Sequence, residues 1–253
     1  MFKRLTIFLY GVTCYAVFFA TFLYAIGFIG NFGVPRTLDS APGDSFMTSL
    51  LVDLGLLGLF ALQHSVMARP AFKRWFTRAV PESAERSTYV LFSSLALIAM
   101  FALWQPLGGS IWTAQDATLR GVIWGVFAFG WLLVLVATFL INHFDLFGLR
   151  QVWLQLIRRP YTHLAFRTPG PYRYVRHPLY VGWLMVFWAT PTMTLSHLVF
   201  ALATTAYILI AVKLEERDLV DHFGATYTEY REKVPMLIPF KRKENAERAF
   251  IRR

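Results

Sequence analysis

The sequence predicts an all-α integral membrane protein. The expected architecture is a bundle of about six transmembrane segments, the last two forming a short helical hairpin, with a cytoplasmic C-terminal amphipathic helix. Composition is the first reason: 56% of the 253 residues are hydrophobic and only 16% charged, with a mean hydropathy of +0.47, far from soluble usage. The second is a set of apolar runs close to the ~20 residues that cross a hydrocarbon core. The third is charge placement, since 23 of the 25 basic residues lie on alternate connections between those runs.

Four spans follow directly, over Leu5 to Ile29, Phe46 to Met67, Thr88 to Trp104 and Val122 to Ile141. The first is too long and too poor in a small-residue cleavage site to be a secretory signal, so it is expected to stay as a span. Leu179 to Val212 holds no Asp, Glu, Lys or Arg but is broken around Thr190, Pro191 and Thr192, where proline removes a helix donor; it reads as two short helices. From Leu214 on, Val220, Phe223, Tyr227, Tyr230 and Val234 recur at steps of three and four, the pattern of an amphipathic helix lying on the bundle or the membrane surface. The tail after Phe240 is basic and reads as a solvated or lipid-touching end. No soluble second domain or repeat stands out, so residues 1–253 form a single membrane domain.

Only Arg36 and Arg120 fall on the sparse side. The positive-inside rule therefore puts both termini and both long basic loops in the cytoplasm. The net charge of +10 is explained by that topology and by anionic membrane lipid, so no nucleic-acid partner is needed. A lone cysteine, Cys14, excludes an internal disulfide and reads as a small buried apolar residue. The chain has no GxGxxG in a strand-turn-helix context and no phosphate loop, and histidines 64, 143, 163, 177, 197 and 222 show no paired metal-ligand spacing. No metal is expected.

The richest stretch is Gly170 to Gly182, GPYRYVRHPLYVG, followed after the uncharged run by Glu215 and Glu216 in EERDLVDHFGATYTEY. Ionisable groups are expensive at membrane depth and mark a site by default. Gly170 between two prolines permits close backbone approach in a rigid turn, and Pro178 suits the first turn of a helix preceded by His177. The alternative is structural: Arg176 with the carboxylate pair as an ion-pair network closing the bundle, and Tyr172 and Tyr174 as interfacial belt residues.

These motifs, over roughly Thr168 to Pro239, resemble the C-terminal half of the isoprenylcysteine carboxyl methyltransferase family of integral-membrane methyltransferases. With LQHSVMARPAFKRW at 62–75 and NHFDLFGLRQVW at 142–153, the chain is similar to the methanethiol S-methyltransferase and NnrU-type branch. The resemblance implies S-adenosyl-L-methionine as methyl donor, held by Thr168, Gly170, Tyr172, Arg176, His177 and Tyr180 on one wall and by Glu215 and Glu216 on the other. It implies a bacterial inner-membrane enzyme with an acceptor pocket in residues 1–145, a cofactor-binding part over 146–240 and a basic tail over 241–253. A small thiol would be the substrate, methanethiol giving dimethyl sulfide. The rivals are a methyltransferase for a larger thiol, a carboxylate or an amine, a non-catalytic NnrU-like protein assisting nitric-oxide metabolism or transport, and a sterol-type reductase using reduced nicotinamide.

Thiol methylation needs a thiolate, so a base is expected. Tyr10 and His64 lie about 8 to 9 Å inside the cytoplasmic boundary at ~1.5 Å per residue, and Asn142 and His143 end the fourth helix at the same face. The expectation is that His64, with Tyr10 or through a water, takes the thiol proton while Asn142 or His143 orients acceptor or base. Asp53 reads as a structural partner for a neighbouring helix, and Asp145 with Arg150 as a gate. His64 and His143 can equally be satisfied interhelical hydrogen-bonders. Oligomeric state leaves no mark in the sequence.

Overall fold

The computed structural model describes residues 1–43 and 45–239. The basic tail lies outside the described residues, as does the final residue of the 146–240 part. The fold is helical, and five helices are long and apolar enough to cross a membrane: α1 (Phe2–Gly30), α2 (Phe46–Ala68), α4 (Glu82–Leu103), α5 (Ala117–Leu140) and α9 (Leu195–Phe223). Short helices α3 (Pro70–Phe76), α6 (His143–Leu146), α7 (Leu149–Leu156), α8 (Pro178–Trp188) and α10 (Ala225–Lys233) fill the connections.

Local chemistry sets the ends. Asp116 and Thr194 cap α5 and α9 by accepting from the amides of Leu119 and His197 at 2.8 and 3.0 Å. Pro70 opens α3 and Pro178 opens α8, each where the missing donor costs nothing. Large apolar side chains such as Leu51, Leu62, Val122 and Ile210 stay exposed, as expected of lipid-facing surface. The interior is aromatic: Phe28, Phe101, Trp104, Phe127, Trp131, Phe187 and Phe200 share one cluster.

Helices α5 and α8 pack backbone to backbone. A Cβ on Gly182 would meet the Gly130 carbonyl oxygen at 2.8 Å and the Val134 amide nitrogen at 3.0 Å, so only small residues permit the approach.

Three features differ from the sequence reading. A two-stranded sheet, unexpected in an all-α fold, joins β1 (Ser110–Thr113) to β2 (Thr192–Thr194) in antiparallel pairing. The TPTMT break is thus not a plain turn; its β-branched residues complete a pair with the α4–α5 connection. Asp39 from the α1–α2 connection meets this end, accepting from Thr194 Oγ1 and lying 3.3 Å from His197 Nδ1. The two helices that follow His177 are also unequal, eleven residues in α8 and twenty-nine in α9, rather than two short arms. Finally, α9 does not stop near Leu214. Nothing breaks its ladder until Gly224 at φ +57°, so the periodic apolar positions 220–234 are divided between α9 and α10.

Candidate functional site at the basic end of the bundle

The stretch 170–182 folds as a single 3-10 turn over Gly170–Arg173, a short link, and α8 with His177 at its N-cap. Gly170 takes φ +53°, a conformation that favours glycine, and its Cα faces the side chain of Leu140. The amides of Arg176 and His177 donate to the carbonyls of Pro235 and Met236 at 2.9 and 3.2 Å, which ties the segment to the chain just after α10.

Arg176 Nε donates to Glu216 Oε1 at 2.6 Å, and its Nη1 reaches the carbonyls of Arg231 and Val234. His177 Nε2 lies 3.0 Å from the same Glu216 oxygen. Glu216 is buried and two of its partners converge on one oxygen, so Arg176 ties the segment before α8 to α9 and to the end of α10 through Glu216 alone of the two carboxylates. Among the described residues Glu215 makes no bond to Arg176, and its Oε2 lies 4.0 Å from His177 Nδ1. The same oxygen accepts from Tyr180 at 2.9 Å, and the Glu215 side chain is 45% exposed, leaving acceptor capacity beside a half-buried phenol. Burial, reinforced by the charge of Glu215, pushes the Tyr172 phenol up, and burial holds that of Tyr230 at about 12. Both therefore remain hydroxyl donors; Tyr230 donates to the Tyr172 carbonyl at 2.5 Å. Thr168 lies half-buried at the entry to the turn, with Phe166 nearby packed among Phe223, Tyr227 and Tyr230.

His64 comes into this end from α2. Its Nδ1 is 3.1 Å from Ser93 Oγ on α4, and the hydroxyl of Tyr89, also on α4, is 2.9 Å from Nε2 and 3.1 Å from Nδ1. Ser65, next in sequence, bonds Tyr207 of α9 at 3.1 Å. The His64–Tyr89, Ser65–Tyr207 and Tyr180–Glu215 pairs are separate contacts related through the helices: Ser65 follows His64 on α2, and Tyr207 and Glu215 both lie on α9. Arg69, one turn on from Ser65, pairs with Asp218 at 3.0 Å and fixes α2 against α9.

The other three expected residues are not brought to His64. Tyr10 donates to Thr88 at 2.9 Å, on the α1 side of α4, and no hydrogen bond among the described residues joins it to His64. Their partners Thr88 and Tyr89 are neighbours on α4, so Tyr10 and His64 do share a depth; helix rise alone says nothing of which face each occupies. Asn142 does not end a long helix: at φ +85° it caps α6, accepting from the Asp145 amide at 3.1 Å. His143 is buried with both nitrogens bonded, to Tyr15 and Thr138 at 2.8 Å each, and stacked on Phe139. Burial lowers its pKa, and a neutral imidazole fits that setting. Asp145 and Arg150 do pair at 2.8 Å, with Arg150 also holding Thr162. Asp53 accepts from the Gln105 amide at 2.8 Å at the far end, a structural anchor as expected.

The sequence profile of the phospholipid methyltransferase family matches residues 124–226, a range that includes the site residues from Thr168 to Glu216 but not His64 or Tyr89. The chain is 58% identical to the methanethiol S-methyltransferase of Crocosphaera subtropica, over 94% of this chain and 93% of that protein. It is 50% identical to methanethiol S-methyltransferase 2 of Bradyrhizobium diazoefficiens over 98% and 96% of the two chains. Against the methanethiol S-methyltransferase of Mycobacterium tuberculosis the figure is 49%, over 94% and 98%. The chain belongs to the methanethiol S-methyltransferase family. No solved structure matches it.

Membership makes the protein a methyltransferase, and a methyltransferase needs a methyl donor. For this family member, the residues absent from the sequence-based list are Tyr89, Ser93, Tyr207 and Ser65. Each sits within an apolar helix where a lone Tyr or Ser looks like packing; the signal that could have found them is their position one to two turns inside the same boundary as His64.

Proposed function

We propose that the chain transfers a methyl group from S-adenosyl-L-methionine to methanethiol, releasing dimethyl sulfide and S-adenosylhomocysteine. The observation that carries the reading is the presence of two unlike sites on packed helices: a half-open carboxylate with a tyrosine, Glu215 and Tyr180, and an imidazole inside the bundle, His64, whose neighbour Ser65 bonds Tyr207 on the helix that carries Glu215. Similarity at about half of all positions to proteins named for this reaction supports it.

The donor set fits S-adenosyl-L-methionine. Glu215 offers a free carboxylate oxygen to an amino group or ribose hydroxyls, the Tyr180 ring offers a face to the sulfonium by a cation–π contact of ~0.5 to 2 kcal/mol, and Gly170 turns the wall at φ +53°. Thr168, Tyr172, Arg176 and His177 form the wall behind them, with Glu216 as the clamp that holds Arg176 and His177 in place. The bound donor supplies an electrophilic methyl carbon. The protein supplies alignment and a thiolate: His64 serves as base, and closure of the helix end excludes water. A small acceptor suits the aromatic filling around Tyr89, where Phe18, Phe72, Phe76 and Phe147 occupy the space a prenyl chain would need.

In this reading α8 crosses as a sixth, tilted segment with α9, as the pairing of β2 with β1 at the sparse end supports. Both termini and the site then face the cytoplasm of the inner membrane, with the acceptor pocket in 1–145 and the donor pocket in 146–240. The test is headspace analysis of detergent-purified protein given methyl-labelled S-adenosyl-L-methionine and methanethiol. Labelled dimethyl sulfide is expected, with His64→Ala losing turnover while still binding S-adenosylhomocysteine. Binding without product across pH would send the search to larger acceptors, and no adenosyl binding at all would end the methyltransferase reading for this site.

A further inference from the structure

Both ring nitrogens of His64 are already engaged, Nδ1 with Ser93 Oγ at 3.1 Å and Nε2 with the Tyr89 hydroxyl at 2.9 Å, its nearer approach to the ring. An acceptor thiol cannot reach the imidazole without displacing one of them. Phe60 lies stacked against the ring at a centroid distance of 5.2 Å and blocks part of that approach. The Tyr89 hydroxyl, by contrast, keeps acceptor capacity beside its bond to the imidazole. Its ring is buried against Met67 and Val90, with Phe18, Phe72, Phe76 and Phe147 packed on that cluster. The Arg86 guanidinium lies 4.9 Å from the ring centroid, anchored by its bond to the Leu146 carbonyl at 2.6 Å. A fixed cation therefore stands over a phenol whose oxygen touches the base.

We infer that Tyr89 is the catalytic residue that meets the thiol, relaying its proton to His64, with Ser93 as the positioning residue that fixes the imidazole tautomer. This rests on the thiol-methylation reading above. The relay requires the tautomer in which Nδ1–H donates to Ser93 Oγ, leaving the Nε2 lone pair to accept from the Tyr89 O–H. In the step, the S–H bond breaks and its proton goes to the Tyr89 oxygen as the Tyr89 proton moves to Nε2. The products are a thiolate, a neutral tyrosine and an imidazolium whose Nδ1–H still rests on Ser93. The thiolate sulfur forms its new bond to the sulfonium methyl carbon as the old carbon–sulfur bond breaks, and His64 later releases the proton to water. Arg86 favours the transient negative charge on the oxygen and sulfur. A simple thiol is only slightly ionised near neutral pH, so general-base help is worth most there and little once the free thiol is ionised.

The experiment compares wild type, Tyr89→Phe and Ser93→Ala as full-length protein in detergent, each first checked for S-adenosylhomocysteine binding. At pH 7, kcat of Tyr89→Phe is expected to fall about 100-fold and that of Ser93→Ala about 10-fold, with both deficits shrinking as pH rises toward 10. A packing role alone lowers the rate equally at all pH values. Selective 15N-histidine NMR, without any methyl donor, reads the tautomer directly: the His64 signal, assigned with His64→Gln, is expected to show a protonated Nδ1 and an acceptor Nε2 that moves in Tyr89→Phe. Rates within twofold of wild type in both variants, a deficit independent of pH, or a protonated Nε2 in neutral His64 overturns the relay. Wild type that binds the donor yet makes no dimethyl sulfide at any pH removes the thiol-methylation reading itself, and the relay falls with it.

Discussion

Replacing Gly182 by alanine tests whether the close approach of α5 and α8 holds the donor pocket in register. The added Cβ meets the Gly130 carbonyl oxygen and Val134 Cγ2 at 2.8 Å and the Val134 amide nitrogen at 3.0 Å. Two of those atoms are helix backbone and cannot rotate aside, so the helices must separate. Overpacking of this kind costs about 1–3 kcal/mol, offset by up to about 1 kcal/mol of helix propensity gained over glycine. With the propensity gain in full the net is up to about 2 kcal/mol of destabilisation, which at about 2–4 °C per kcal/mol for a chain of this size is a fall of up to about 8 °C in Tm. Gly121→Ala is the control, since no atom lies within 4 Å of its would-be Cβ and only the propensity gain remains. The assay is the fraction of monodisperse protein by size exclusion after heating, in one detergent. Because α8 begins at Pro178 and carries Tyr180, Gly182→Ala should also weaken S-adenosylhomocysteine binding. A melting point equal to or above that of Gly121→Ala would refute the packing argument.

Glu216→Gln leaves Arg176 and His177 without their shared carboxylate in a site where both partners are about 90% buried. A loss of about 3–5 kcal/mol of stability is expected, read as thermal shift, together with at least tenfold weaker S-adenosylhomocysteine binding by calorimetry; an unchanged melting curve counts against the clamp. Tyr10→Phe loses only the bond to Thr88, about 0.5–1.5 kcal/mol of stability, and should keep kcat within threefold; a hundredfold loss would restore Tyr10 to the site. His143 is held neutral by burial, below its ordinary ~6.5. The folded state thus binds fewer protons there than the unfolded state, so its contribution is present above that value and fades as pH falls through and below it. The melting-point gap between wild type and His143→Gln should narrow from pH 7.5 to pH 5, and a constant gap would place the effect elsewhere.

The spans were legible because bilayer thickness and charge placement are one-dimensional constraints: α1, α2, α4 and α5 all match apolar runs within a few residues at their membrane-crossing parts. The start of α4 at Glu82 was not, since Glu82, Glu85 and Arg86 are polar and extend the helix beyond the apolar run on its basic side. The β1–β2 pair escaped notice because four exposed residues after two glycines carry no alternation against a core. In the site, Arg176, His177, Tyr180 and the two glutamates were visible as costly groups next to a proline-initiated helix. Tyr89 and Tyr207 were not, because a tyrosine in an apolar helix is ordinary, and only the crossing of α2, α4 and α9 shows that its hydroxyl meets a histidine or a serine.

The adjacent carboxylates make the same point at the scale of one helical turn. Glu215 and Glu216 are successive residues of α9, about 100° apart around a helix of 3.6 residues per turn, so they cannot line one cavity face equally. Glu216 points inward, with Arg176 and His177 on one oxygen, and its charge is consumed in holding α8 and α10 together. Glu215 points toward Tyr180 and solvent and keeps an oxygen for a ligand. Removing Glu216 should therefore cost stability and binding together, whereas Glu215→Gln should leave the melting point within about 2 °C of wild type and weaken S-adenosylhomocysteine binding alone. If both substitutions shift stability equally, the carboxylates share one structural role and the donor pocket must draw its anionic group from elsewhere.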